Sequence, residues 1–173
     1  MQQDDGQEPR DEVDALVPAW AGLPASLVAA LELSKRVARI DGLFGQATRA
    51  EIAQLGLTYA EFDVLAALRR EGEPYRLRPS ELTRSLFLTS GGTSNVLQRL
   101  AKAGYVEREA DTGDARSRWV RLTAQGLRVT DAALAASGKA HLEVIAGVPE
   151  EDVREAADAL RKILAVIGKR RVH

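Results

Sequence analysis

Apolar residues along this chain recur mostly at three- and four-residue intervals, the signature of amphipathic helices, and alternate with polar ones in only two short stretches. From about Glu12, the positions Val13, Leu16, Val17 and Trp20 predict a short helix that stops near Gly22-Leu23-Pro24. A second helix is expected from about Ala25 to Ala53, with Leu33, Val37, Ile40, Phe44 and Ala47 as its apolar stripe and Lys35, Arg36 and Arg39 outside it. At 1.5 Å per residue it reaches on the order of 40 Å, more than one small domain can cover. Thr58-Tyr59-Ala60-Glu61 has the spacing of a capping box, with Leu57 and Phe62 as a hydrophobic staple, and predicts a helix from Tyr59 to about Arg70, ended by Gly72. Pro79 to Leu86 reads as a short helix, separated from the next only by Phe87 and Leu88. In that next helix Thr89 or Ser90 can cap the start, Val96, Leu97 and Leu100 form the buried face, and Gly104 occupies the C′ position.

The alternating stretches are Tyr105 to Glu109 and Ser117 to Leu122, two strands around the turn Asp111-Thr112-Gly113-Asp114. Beyond them Thr123 can cap a long alanine-rich helix carrying Val129, Leu134, Leu142 and Ile145. Pro149-Glu150-Glu151-Asp152 opens a last helix with acids at its positive end, and Lys169, Arg170 and Arg171 close it with bases. Its stripe of Val153, Ala156, Leu160, Ile163, Leu164 and Ile167 has near-heptad spacing. The stripe reads as a seam between subunits, with a fold back onto the chain's own long helices as the alternative.

Helix, tight turn, helix and two-stranded wing make a winged helix-turn-helix. The fold class is mainly α with a small β-wing, plus long N- and C-terminal dimerisation helices. The expected divisions are a disordered acidic N-terminus over 1–12, N-terminal helices over 13–56, the DNA-binding domain over 57–122 and C-terminal dimerisation helices over 123–173. On the second helix of the motif, Thr93, Ser94, Asn95, Gln98 and Arg99 form a small polar face able to reach base edges in a major groove, with Thr89 and Ser90 at its start. Ser80, Arg84, Arg116 and Arg118 are the candidates for holding the DNA backbone.

Composition narrows the alternatives. The 173 residues include no cysteine, which excludes thiol redox sensing and Cys-ligated zinc, and the two histidines, His141 and His173, sit in no familiar ligand motif, so no metal or cofactor is expected. No apolar run approaches the roughly 18 to 20 residues of a membrane span, and the acidic start is unlike a signal peptide, so a cytoplasmic location is expected. A net charge of −1 hides a segregated distribution. Between Arg69 and Arg128 there are twelve bases against seven acids, about +5 on the reading module, and such a local excess is what sets phosphate affinity. An enzyme finds little support, because Ser90-Gly91-Gly92 lacks the strand-turn-helix context of a nucleophile elbow and no phosphate-binding glycine loop is present. The competing class is a winged-helix protein-interaction module without sequence-specific DNA binding.

The combination of Leu57-Thr58-Tyr59-Ala60-Glu61-Phe62-Asp63-Val64-Leu65, Arg78-Pro79-Ser80-Glu81-Leu82, Thr93-Ser94-Asn95, Ala103-Gly104-Tyr105-Val106-Glu107-Arg108 and Val120-Arg121-Leu122-Thr123-Ala124-Gln125-Gly126 resembles the MarR family of bacterial transcriptional regulators, over roughly Leu27 to the C-terminus. The resemblance implies a homodimer on a pseudo-palindromic double-stranded operator, usually as a repressor released by a small effector. The family's wing usually carries more arginine; here Gly113 and Ala115 stand in its place, leaving Arg116 and Arg118. The urate-responsive branch of the family uses a Trp, an Asp and two Arg for its ligand. This chain is similar at three of those positions, Trp20, Asp63 and Arg108, and has Val96 at the fourth. The resemblance therefore implies an aromatic or anionic effector bound among Trp20, Asp63 and Arg108. The alternative is that Asp63 and Arg108 pair with each other while Trp20 fixes the N-terminal helix to the core.

Overall fold

A helix of thirty residues, α1 (Ala25–Gln54), forms the spine of the protein in a computed structural model that describes residues 10–86, 90–110 and 118–168, with backbone only at Ser90, Ala110 and Arg118. Its C-terminal half packs on the long helix α5 (Ala124–Val144), and the contact carries a polar seam. Thr48 Oγ1 lies 3.2 Å from Ser137 Oγ and 3.0 Å from His141 Nε2, while Phe44 meets the His141 ring edge-on at 4.8 Å. Burying two hydroxyls is tolerable because each finds a partner inside the seam. The N-terminal part of the stripe has no such cover: Leu33, Val37 and Ile40 are exposed.

Among the described residues before α1 the chain makes a four-residue 3-10 turn, Val17–Trp20, rather than the helix expected from Glu12. Of the acidic start expected to be disordered, only residues from Arg10 onward lie within the described residues. Arg36 takes Asp11 through Nε at 2.7 Å, Asp14 through Nη2 at 2.8 Å and Glu32 through Nη1 at 2.8 Å, and Val13 is buried beneath them. The hydrogen bond to Arg36 holds the Asp11 carboxyl below its usual range.

α2 (Tyr59–Arg70) begins with both halves of the capping box in place and supplies most of the core: Phe62, Val64, Leu65, Ala67 and Leu68 are all buried. Against it stand Leu82 of α3 (Pro79–Ser85), Leu97 and Leu100 of α4 (Ser90–Lys102), and Val106, Val120 and Leu122 of the sheet. Truncating any of these leucines to alanine would cost about 2–5 kcal/mol. Strands β2 (Val106–Ala110) and β3 (Arg118–Leu122) form the antiparallel wing, with Val106 opposite Leu122 and Arg108 opposite Val120. A two-residue strand, β1 (Arg76–Leu77), joins the other edge of β3, giving the order β1-β3-β2.

Thr123 caps α5 by accepting from the Gly126 amide at 2.9 Å. The last helix, α6 (Glu150–Ile167), has no buried residue; Leu164, Val166 and Ile167 are exposed. The basic residues Lys169, Arg170 and Arg171, expected to close it, lie outside the described residues. No helix of the described residues is long and apolar enough to cross a membrane.

Candidate nucleic-acid interface

The polar face of α4 is built by what its other face buries. Thr93, Leu97 and Leu100 point into the core at i, i+4 and i+7, so Ser94, Asn95, Gln98, Arg99 and Lys102 are left on the exposed side. Four of the five readers expected from the sequence are placed there. Thr93 is a correction: it is only 2% exposed, and its hydroxyl meets that of Thr83 on α3 at 3.0 Å. It fixes the angle between the two helices of the motif and cannot reach a base. Val96, expected on the buried face, is only half-buried against the core.

α3 presents Ser80 and Arg84 on its exposed surface. Its first turn is held by Glu81, whose carboxylate accepts from the Arg78 amide at 2.7 Å. Thr89, the Ser90 side chain, Arg116 and the Arg118 side chain, together with the wing positions Gly113 and Ala115, lie outside the described residues.

Several of the basic residues counted on this module are already engaged. Arg69 pairs with Asp131 at 2.7 Å, Arg76 with Glu109 at 3.4 Å, and Arg121 with Glu107 at 2.5 Å. Arg76 and Arg78 both stack on Trp119, each with its guanidinium carbon 4.7 Å from the ring centroid, an arrangement that stiffens the junction of wing and α3. Arg84 and Lys102 are exposed and make no ion pair among the described residues, so their charge is available to phosphate. Arg99 has both properties: its side chain is 61% exposed, yet its Nε lies 3.1 Å from the carboxylate of buried Glu61. Reading Thr58 and Glu61 as a helix cap was correct but incomplete, since local spacing carries no sign of a partner on α4.

Among the described residues, the hollow that Trp20 lines brings in neither of the other two expected ligand residues. Trp20 lines a shallow hollow of about 580 Å³ between the 3-10 turn and α1, walled by Val17, Leu23, Val28, Ala29 and Glu32 among others; neither Asp63 nor Arg108 lines it. Asp63 belongs to a separate group with Arg49 and Tyr59. Burial raises its carboxyl above the usual range and Arg49 opposes that rise, while the Tyr59 hydroxyl is raised by burial and then by the Asp63 charge. Arg49 also lies 4.8 Å over the Tyr59 ring. Arg108 is exposed on β2 and makes no ion pair with Asp63 among the described residues. Among the same residues no cluster of three or more His, Asp or Glu could hold a metal.

A helix whose buried stripe turns a row of short polar side chains outward, braced by a preceding helix and flanked by a three-stranded sheet that carries the wing, defines a winged helix-turn-helix DNA-binding protein. Residues 55–117 match the model of the MarR family of transcriptional regulators. It is similar over nearly its whole length to the HTH-type transcriptional regulator PecS of Dickeya dadantii, 27% identical over 163 residues that cover 94% of this chain and 96% of PecS. Among solved structures it is similar to apo MarR of E. coli, with 25% identity, a TM-score of 0.69 and coverage of 76% of this chain and 96% of that one. A mutant E. coli MarR in complex with operator DNA shares the fold at 22% identity and a TM-score of 0.66, over 90% of this chain and 99% of that one.

Proposed function

We propose that the protein is a homodimeric repressor that reads a pseudo-palindromic operator with α4, Ser94, Asn95, Gln98 and Arg99 meeting the bases while Ser80, Arg84 and the wing hold the backbone. The observation that carries this reading is the exposed polar row on α4, four side chains at the spacing of one helix face with hydrogen-bonding capacity for base edges. The dimer is supported by apolar surface left exposed among the described residues: Leu33, Val37 and Ile40 on α1 and Leu164, Val166 and Ile167 on α6. Two α4 helices related by a two-fold would enter successive major grooves about 34 Å apart.

The effector reading is narrower than the sequence implied. The hollow beside Trp20 offers an indole face and aliphatic walls, and its one charged wall residue, Glu32, is held by Arg36. A planar aromatic molecule suits it better than an anion, and its binding would shift α1 and with it the spacing of the two reading helices. Selection of genomic fragments by the purified protein, followed by footprinting, tests the main reading. Enrichment of a two-fold site with half-site centres about ten base pairs apart is the expected result. Enrichment no better than for random duplex would overturn it and leave the interaction-module reading in its place.

A further inference from the structure

A capping-box glutamate ordinarily sits at the surface of its helix, where one carboxylate oxygen returns to the backbone and the other meets water. Glu61 is different: it is 6% exposed, and Arg99 of α4 reaches its carboxylate. A carboxylate so far from water needs its partners from the protein. Its Oε2 accepts from the Thr58 amide at 2.8 Å and from the Thr58 hydroxyl at 2.7 Å. Its Oε1 lies 3.1 Å from Nε of Arg99. One side chain therefore ties the first turn of α2 to the exposed face of α4.

We infer that Glu61 is a positioning residue for DNA reading, holding Arg99 by Nε so that the two terminal nitrogens of the guanidinium are presented to DNA in a fixed orientation. An arginine side chain loses much rotamer freedom when it binds, and a guanidinium already held at one edge has less to lose. The remaining edge keeps the paired donors that match a guanine or a phosphate. Lysine could not serve, since a single ammonium cannot hold Glu61 and present a planar fork together. The inference rests on the DNA-reading role proposed for α4, and it adds a residue that touches no DNA to the set that determines specificity.

Glu61→Gln separates positioning from capping, because glutamine still accepts from the Thr58 amide and serves at this place in a capping box. The full-length protein and its Glu61→Gln, Arg99→Lys and doubly substituted variants would be titrated, at fixed salt, with a duplex enriched from genomic fragments and with a random-sequence duplex. The ratio of the two affinities for Glu61→Gln is expected to fall about tenfold, the size of one lost bidentate contact, while thermal stability changes little. Arg99→Lys should lose a similar factor, and the double variant no more than either single one. Losses that multiply in the double variant, an unchanged ratio for Glu61→Gln, or equally tighter binding to both duplexes would overturn the inference, the last because Glu61 would then only neutralise Arg99. Failure of the unsubstituted protein to prefer the enriched duplex would instead overturn the DNA-reading role on which the inference stands.

Discussion

Gly126 joins the wing to the long helix α5, and replacing it with alanine is expected to reverse the usual effect of that substitution in a helix. Alanine is ordinarily better than glycine inside a helix by about 1 kcal/mol. At position 126 an added Cβ would stand 2.8 Å from the Tyr105 carbonyl carbon and closer still to its oxygen. Neither atom is the end of a flexible side chain. The Tyr105 carbonyl accepts from the Thr123 amide at 3.0 Å, and the Thr123 hydroxyl donates to the Gly104 carbonyl at 2.7 Å while accepting from the Gly126 amide. Relieving the clash moves the start of α5 away from β2 and opens this group of bonds. Overpacking costs about 1–3 kcal/mol and a lost N-cap about 1 kcal/mol, so the net destabilisation is roughly 1–3 kcal/mol after the helix preference is subtracted. For a chain of this size that is a fall in Tm of about 2–12 °C. Gly138, in the same helix, has nothing within 4 Å of an added Cβ, and Gly138→Ala should raise stability by up to about 1 kcal/mol. Thermal and urea unfolding of both variants provides the assay. A Tm for Gly126→Ala equal to or above that of the parent would refute the reasoning, most directly if Gly138→Ala moved the same way.

Two further expectations concern charge and assembly. Burial raises the Asp63 carboxyl, so its protonated form is favoured by folding: the contribution is fully present below the unfolded value near 3.8 and is lost as pH rises through the folded one. Asp63→Asn should accordingly raise Tm at pH 7, with the gap closing toward pH 4; a lower Tm at pH 7 would mean that attraction to Arg49 outweighs burial. On α6, Leu160→Glu with Leu164→Glu should convert a dimer to monomer in sedimentation, since burying two carboxylates in an apolar seam costs several kcal/mol at about neutral pH. Unchanged sedimentation would remove α6 from the interface.

What the sequence disclosed and what it concealed follow a physical division. Features set within one turn of chain were legible: the Thr58 and Glu61 cap, the start of α5 at Thr123, and the alternation that makes β2 and β3. Features set by where another element lands were not. β1 is two residues long and exists because Arg76 and Leu77 meet Arg121 and Val120 across the sheet, which no periodicity announces. Thr93 shares the polar character of Ser94 and Asn95, and only the approach of Thr83 shows that its hydroxyl is buried. Trp20, Asp63 and Arg108 were grouped by family resemblance, whereas the fold places Trp20 against α1 and Asp63 beside Arg49. Asp11 and Asp14 read as solvated acids from composition, and their partner, Arg36, lies beyond the reach of any local pattern.

Base reading by the exposed row on α4, as opposed to mere phosphate contact, is tested best at Gln98, an exposed and uncharged member of that row. The decisive measurement is a salt-controlled titration of Gln98→Ala against an enriched duplex and a random one. A base reader contributes about 1–3 kcal/mol to the first and little to the second, so the preference should drop by about five- to a hundredfold with the salt slope unchanged. Equal loss on both duplexes, or no loss on either, would contradict the assignment of α4 as the reading helix.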